Sequence, residues 1–118
     1  MSKKNFLDKE RKSFGHALRG VAVFFAETWH AKIHLIATIA VIIAGLWFKV
    51  NNNEWLALIL TISIVWVAEA FNSAIEYVVD LVSPGYHDLA KKAKDVAAGA
   101  VLIASGFAVV VAILVFLY

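Results

Sequence analysis

Cysteine is absent from the 118-residue chain. That removes disulfides, thiolate nucleophiles and thiolate metal sites, leaving carboxylates, histidines and amide oxygens as ligands, a set that suits hard cations such as Mg²⁺. Charge is also scarce, 17% of residues against 62% hydrophobic. Such a balance is too apolar for a soluble domain of this size and predicts an all-α, polytopic membrane protein. No GxxxxGK[ST] loop, GxGxxG turn or GxSxG elbow occurs, which excludes the usual phosphate cradles and the serine nucleophile they accompany. The first residues lack the apolar core and small-residue cleavage site of a signal peptide, so the polar start is expected to be retained and residues 1–118 to form one domain.

Four segments are legible. Over residues 3–25, Leu7, Phe14, Leu18, Val21 and Phe25 share an arc of about 60°, with Lys9, Lys12, His16 and Arg19 opposite. This predicts an amphipathic helix on the membrane surface whose basic face meets anionic headgroups or a nucleotide's phosphates. Three spans follow, over about 29–48, 54–80 and 89–118. The first is apolar from Ile33 to Phe48 apart from His34 and Thr38, and needs Trp29 to Lys32 to cross a core of roughly 30 Å. Asn51, Asn52 and Asn53 predict a hairpin turn, and the chain's one proline, Pro84, with Ser83 and Gly85, ends the second span. From Val96 to Tyr118 no charge occurs. The tryptophans read mostly as interfacial anchors, Trp66 lying deeper.

Six of the eleven basic residues precede Gly20, and Lys91, Lys92 and Lys94 precede the third span. The positive-inside rule then places the N-terminus and the Pro84 loop in the cytoplasm of a multi-pass cell (inner) membrane protein. Within the second span Glu69, Asn72, Glu76 and Asp80 fall within about 80° of one helix face. Ionisable groups in a membrane segment are costly unless they serve a cavity, partner or cation, so this stripe is a candidate site. Helical rise from Asn53 carries Glu69 about 24 Å and Glu76 about 34 Å across the membrane, to headgroup depth on the side where ATP and Mg²⁺ are available. Phosphoryl transfer needs carboxylates for Mg²⁺, a base for the acceptor hydroxyl and cations for the phosphates, and the chain has all three. No nucleic-acid partner is expected.

The string Glu69-Ala-Phe-Asn72-Ser-Ala-Ile-Glu76-Tyr-Val-Val-Asp80, followed by His87-Asp-Leu-Ala-Lys-Lys-Ala-Lys94-Asp95-Val-Ala-Ala-Gly-Ala-Val-Leu102, resembles the signature of the prokaryotic diacylglycerol kinase family, which includes undecaprenol kinases. Upstream, Phe14-x-x-Ala17-x-x-Gly20 and Ile33-His34-Leu35 are similar to the family's N-terminal pattern. The resemblance implies a homotrimer of three-span subunits with an N-terminal surface helix and active sites shared between neighbours, phosphorylating a membrane lipid alcohol (undecaprenol or diacylglycerol) with Mg·ATP in the lipid bilayer. It implies Glu69 as general base supported by Asn72, Glu76 as a metal ligand, Lys94 and Asp95 at the nucleotide, and Gly85, Tyr86 and His87 near its adenine and ribose. His16 stands where relatives can have a tyrosine facing the nucleotide. The family's other metal-binding glutamate falls at Thr28 by counting back from Ile33, whereas this chain has Glu27, which is taken as the second ligand.

Plainer roles stand beside these. Glu69 could be only an interhelical hydrogen-bonding group, Asn72 polar glue between helices, Asp80 an interfacial residue and Asp88 a helix cap. His34 is expected to hydrogen-bond to a neighbouring helix, and Gly99 and Gly106 to mark close helix contacts. A small oligomeric cation or proton transporter using Glu69 and Glu76, or a purely structural membrane subunit, are the rival functions.

Overall fold

The structure, a computed structural model, describes residues 2–118; Met1, the first residue of the expected domain, lies outside them. Among the described residues all regular structure is helical: α1 (Lys3–Glu27), α2 (Trp29–Trp47), α3 (Asn52–Val82) and α4 (Asp88–Leu117). The last three are long and apolar enough to cross a membrane. At 1.5 Å per residue α2 reaches only about 28 Å, close to the thickness of a typical hydrocarbon core, and carries exposed Trp29 and Trp47 at its two ends.

Each boundary has a local cause. Ser2 caps α1, its hydroxyl accepting from the Asn5 amide at 3.2 Å. Only Thr28, in extended conformation, separates α1 from α2, so one residue serves as C-cap of the first and N-cap of the second. The asparagine run does not form the hairpin turn. Instead α2 ends in a reversal at Phe48 to Val50, with Lys49 at φ 53° and the Val50 amide bonding back to the Gly45 carbonyl at 3.2 Å. Asn51 then caps α3: it accepts from the Glu54 amide at 2.9 Å while Glu54 accepts from the Asn51 amide at 3.2 Å. This reciprocal box satisfies two orphan donors, which is why Asn52 and Asn53 are already helical. At α4 the cap is His87 rather than Asp88; its ring nitrogen Nδ1 accepts from the Leu89 amide at 3.1 Å, and Asp88 occupies the first turn.

Packing is centred on α3, which lies against α4 along much of its length and meets α2 at fewer points. Where α2 and α3 diverge from their turn, the Trp55 ring lies across Gly45, so that a Cβ added there would stand 2.4 Å from a ring carbon. Trp55 is thus half-buried by packing against α2. Gly45→Ala is expected to cost about 1–3 kcal/mol of stability through overpacking, read as a lower unfolding midpoint in detergent micelles. An unchanged midpoint would mean that Trp55 swings aside freely. Trp66 forms a second centre: Phe24 and Phe25 at the end of α1 meet its ring at centroid distances of 6.1 and 5.2 Å.

The described side chains include none that is large and wholly enclosed, and large apolar residues stay exposed along all four helices. In water that surface would drive aggregation; a bilayer supplies the apolar solvent that it needs.

Candidate active site

The polar groups that the apolar interior does hold are concentrated on the C-terminal half of α3. Glu69, Asn72 and Ser73 are buried, Glu69 retaining 3% of its exposure. Three rungs join this half of α3 to the α1–α2 junction. His34 Nε2 donates to Glu69 Oε1 at 2.8 Å, the Thr28 and Ser73 hydroxyls are 3.3 Å apart, and the Tyr77 hydroxyl donates to Glu27 Oε2 at 2.6 Å. Positions 69, 73 and 77 succeed one another at one helical turn, while their partners run backwards from 34 to 28 to 27, as antiparallel neighbours require. The break at Thr28 is what lets two consecutive residues, Glu27 and Thr28, both reach α3. On a continuous helix they would diverge by about 100°.

Among the described residues two buried acceptors have no partner: Glu69 Oε2 and Asn72 Oδ1. A buried oxygen without a donor is unfavourable by about 1–3 kcal/mol and marks a place where a ligand hydroxyl, water or ion would be welcome. The other face of Asn72 is used, its Nδ2 donating to Glu76 Oε1 at 3.4 Å. Glu76 itself is exposed.

A second group collects where α3 passes into α4. Here an open cleft of about 370 Å³ is lined by residues that include Asp80, Gly85, Tyr86, His87, Lys94 and Asp95. Lys94 Nζ donates to Asp80 Oδ1 at 2.6 Å and Lys91 to Asp95 Oδ2 at 2.6 Å. The hydrogen bond to Asp88 pushes the Tyr86 phenol above its ordinary range, with some desolvation and the Asp95 charge adding to it. Five of the six residues expected at the nucleotide therefore share one cleft. The sixth, His16, does not. It lies on α1, bonded to Arg19 at 3.3 Å, beside a separate cavity of about 620 Å³ between α1 and α3.

Asp80, read from the sequence as an interfacial bystander, is the partner that holds Lys94. Its place in the Glu69–Asn72–Glu76 stripe was the available signal. Both members are well exposed, so Asp80→Asn is expected to leave the thermal midpoint in micelles nearly unchanged. A large fall would show that the pair is shielded from solvent.

Among the described residues no three His, Asp or Glu side chains converge on one point. The donor chemistry nevertheless fits Mg²⁺, which is commonly held by one or two carboxylates, with waters and substrate phosphates completing its shell. Glu27 and Glu76 are exposed carboxylates, on the residue bonded to Tyr77 and the residue beside it in sequence.

Residues 15–116 match the prokaryotic diacylglycerol kinase family. Over 114 residues the chain is 37% identical to an undecaprenol kinase of Bacillus subtilis (strain 168), covering 97% of this chain and 93% of that one. It is 44% identical over 100 residues to a diacylglycerol kinase of Synechocystis, covering 84% of this chain and 57% of the relative. With a diacylglycerol kinase of Escherichia coli (strain K12) identity is 31% over 99 residues, 84% of this chain and 81% of the relative. These similarities are to kinases throughout, and the transporter reading finds no support in them.

Proposed function

The chain belongs to the prokaryotic diacylglycerol kinase family and is a membrane-embedded lipid kinase, and from that premise we propose that it transfers the γ-phosphate of Mg·ATP to the hydroxyl of a membrane lipid alcohol at the cytoplasmic face. The observation that carries this reading is the pair of unpartnered buried oxygens, Glu69 Oε2 and Asn72 Oδ1, on the face of α3 that leads toward Glu76. An acceptor hydroxyl brought there finds a base for its proton in Glu69 Oε2, with Asn72 alongside to hold it. The apolar surroundings serve the same end, since electrostatic interactions strengthen where water is excluded.

Glu76 and Glu27 are the residues that would hold Mg²⁺. Bound there with ATP, Mg²⁺ would neutralise phosphate charge. Lys94, steered by Asp80, and Asp95, Gly85, Tyr86 and His87 form the nucleotide cleft, in which Lys94 offsets negative charge as the β–γ bond breaks. Transfer is direct and in line: the lipid oxygen attacks the γ-phosphorus, its proton passes to Glu69 and ADP leaves. No covalent enzyme intermediate is needed.

Support for a homotrimer with shared sites comes from the large apolar area left uncovered on the single chain and from the separation of His16 from the nucleotide cleft, which a neighbour's α1 could bridge. In this arrangement α1 lies on the membrane surface as an amphipathic helix; Phe24, near its C-terminal end, is its one buried side chain. The lysine and arginine distribution supports a cytoplasmic N-terminus and residence in the cell (inner) membrane. Undecaprenol is the favoured acceptor, because the likeness to an undecaprenol kinase runs along nearly all of both chains. The test presents the purified protein, in vesicles, with radiolabelled ATP and either undecaprenol or diacylglycerol. Label should enter undecaprenol at the higher kcat/KM; label in neither lipid would end the kinase mechanism proposed for this site.

A further inference from the structure

Among the described residues His34 is the one side chain hydrogen-bonded to the Glu69 carboxylate, and Thr38 and Trp66 stand beside it. The Thr38 hydroxyl donates to the His34 carbonyl at 2.7 Å, and the same hydroxyl oxygen accepts from Trp66 Nε1 at 3.0 Å. The Trp66 ring also lies against the imidazole, at a centroid distance of 6.3 Å and an angle of 63°. A chain of contacts thus runs from α3 to α2 and back to α3: Trp66, Thr38, His34, Glu69. Its geometry engages Glu69 Oε1 and leaves Oε2 as the oxygen without a donor.

We propose that His34 is a positioning residue for the kinase reaction: it clamps Glu69 Oε1 through Nε2–H, so that the carboxylate presents Oε2 alone to the acceptor hydroxyl. The inference rests on Glu69 being the general base. The clamp needs a hydrogen on Nε2, which the imidazole then donates to the carboxylate oxygen. Titratable and charged groups on the packed elements do not compete for this contact. Glu27 at the end of α1 is bonded to Tyr77, Glu76 on α3 to Asn72, and Lys94 on α4 to Asp80, while His30 and Lys32 on α2 are exposed.

The nitrogen involved makes the test specific. A glutamine amide places its NH₂ near the position of Nε2, whereas an asparagine amide reaches only as far as Nδ1. In His34→Asn the clamp is lost: kcat should fall roughly tenfold, with the KM values for ATP and lipid within about twofold of the parent. His34→Gln should return kcat most of the way. Equal kcat defects in the two variants, or parent behaviour in both, would overturn the assignment and leave His34 as packing. Thr38→Val, which removes the hydroxyl between Trp66 and the His34 carbonyl without changing either member of the pair, should lower kcat in the same way by less. If His34→Asn does not fold, His34→Gln and Thr38→Val decide: loss of activity in His34→Gln, or a parental kcat in Thr38→Val, would also sink the proposal. Failure of the underlying reading is seen separately, because Glu69→Gln would then keep its turnover whatever His34 does.

Discussion

Glu69→Gln is expected to lower kcat for lipid phosphorylation by about 10²–10⁴-fold while ATP still binds and the oligomer stays intact. The substitution is nearly isosteric, and a glutamine carbonyl oxygen can still accept from His34, so the helix contact at that rung survives in shape. What disappears is the capacity to take a proton. A general base typically supplies that range of rate, whereas a carboxylate serving only as an interhelical bond would be replaced with little kinetic effect. Steady-state kinetics with radiolabelled ATP, alongside nucleotide binding and sizing in detergent, separates the two. Turnover near the parent level would remove Glu69 from the chemistry and return it to structure.

Loss of about 100-fold in kcat/KM is the expectation for Glu76→Gln, accompanied by a rise in the Mg²⁺ concentration needed for half-maximal rate. An amide oxygen carries no net charge, and a hard divalent cation bound by few protein ligands depends on each carboxylate. The variant should regain part of its rate as Mg²⁺ is raised, which a folding defect would not do. Glu27→Gln should show the same metal dependence, and Thr28→Val should not, since the hydroxyl of Thr28 faces Ser73 and it is Glu27 that offers a carboxylate to solvent. A Glu76→Gln enzyme with an unaltered Mg²⁺ curve would place the metal elsewhere.

How much of this was legible beforehand depended on whether the signal was local. The acidic stripe on α3 could be read directly, because residues three and four apart share a helix face whatever surrounds the helix. The same logic could have found the α3 start: Asn51 followed three residues later by Glu54 is a capping box, but the run of three asparagines drew attention to a turn instead. His34 was expected to bond to another helix, and it does, although its choice of Glu69 depends on how α2 is rotated against α3. Asp80 was undervalued for a related reason. Its partner Lys94 is 14 residues away across the Pro84 loop, a spacing with no meaning until α3 and α4 lie side by side.

The chain's membership of an all-helical membrane class, its three apolar spans and its kinase signature were determined by the sequence alone, since hydropathy, helical periodicity and motif wording are properties of neighbouring residues. Only the tertiary structure decided which oxygen of Glu69 is engaged, that Glu27 and Thr28 reach adjacent turns of α3, and that Lys94 faces Asp80 while His16 stands apart. Those outcomes follow from a single non-helical residue at Thr28 and from the angles at which α1, α2 and α4 meet α3. Such angles are set by side chains far apart in sequence competing for the same space, as Trp55 and Gly45 do.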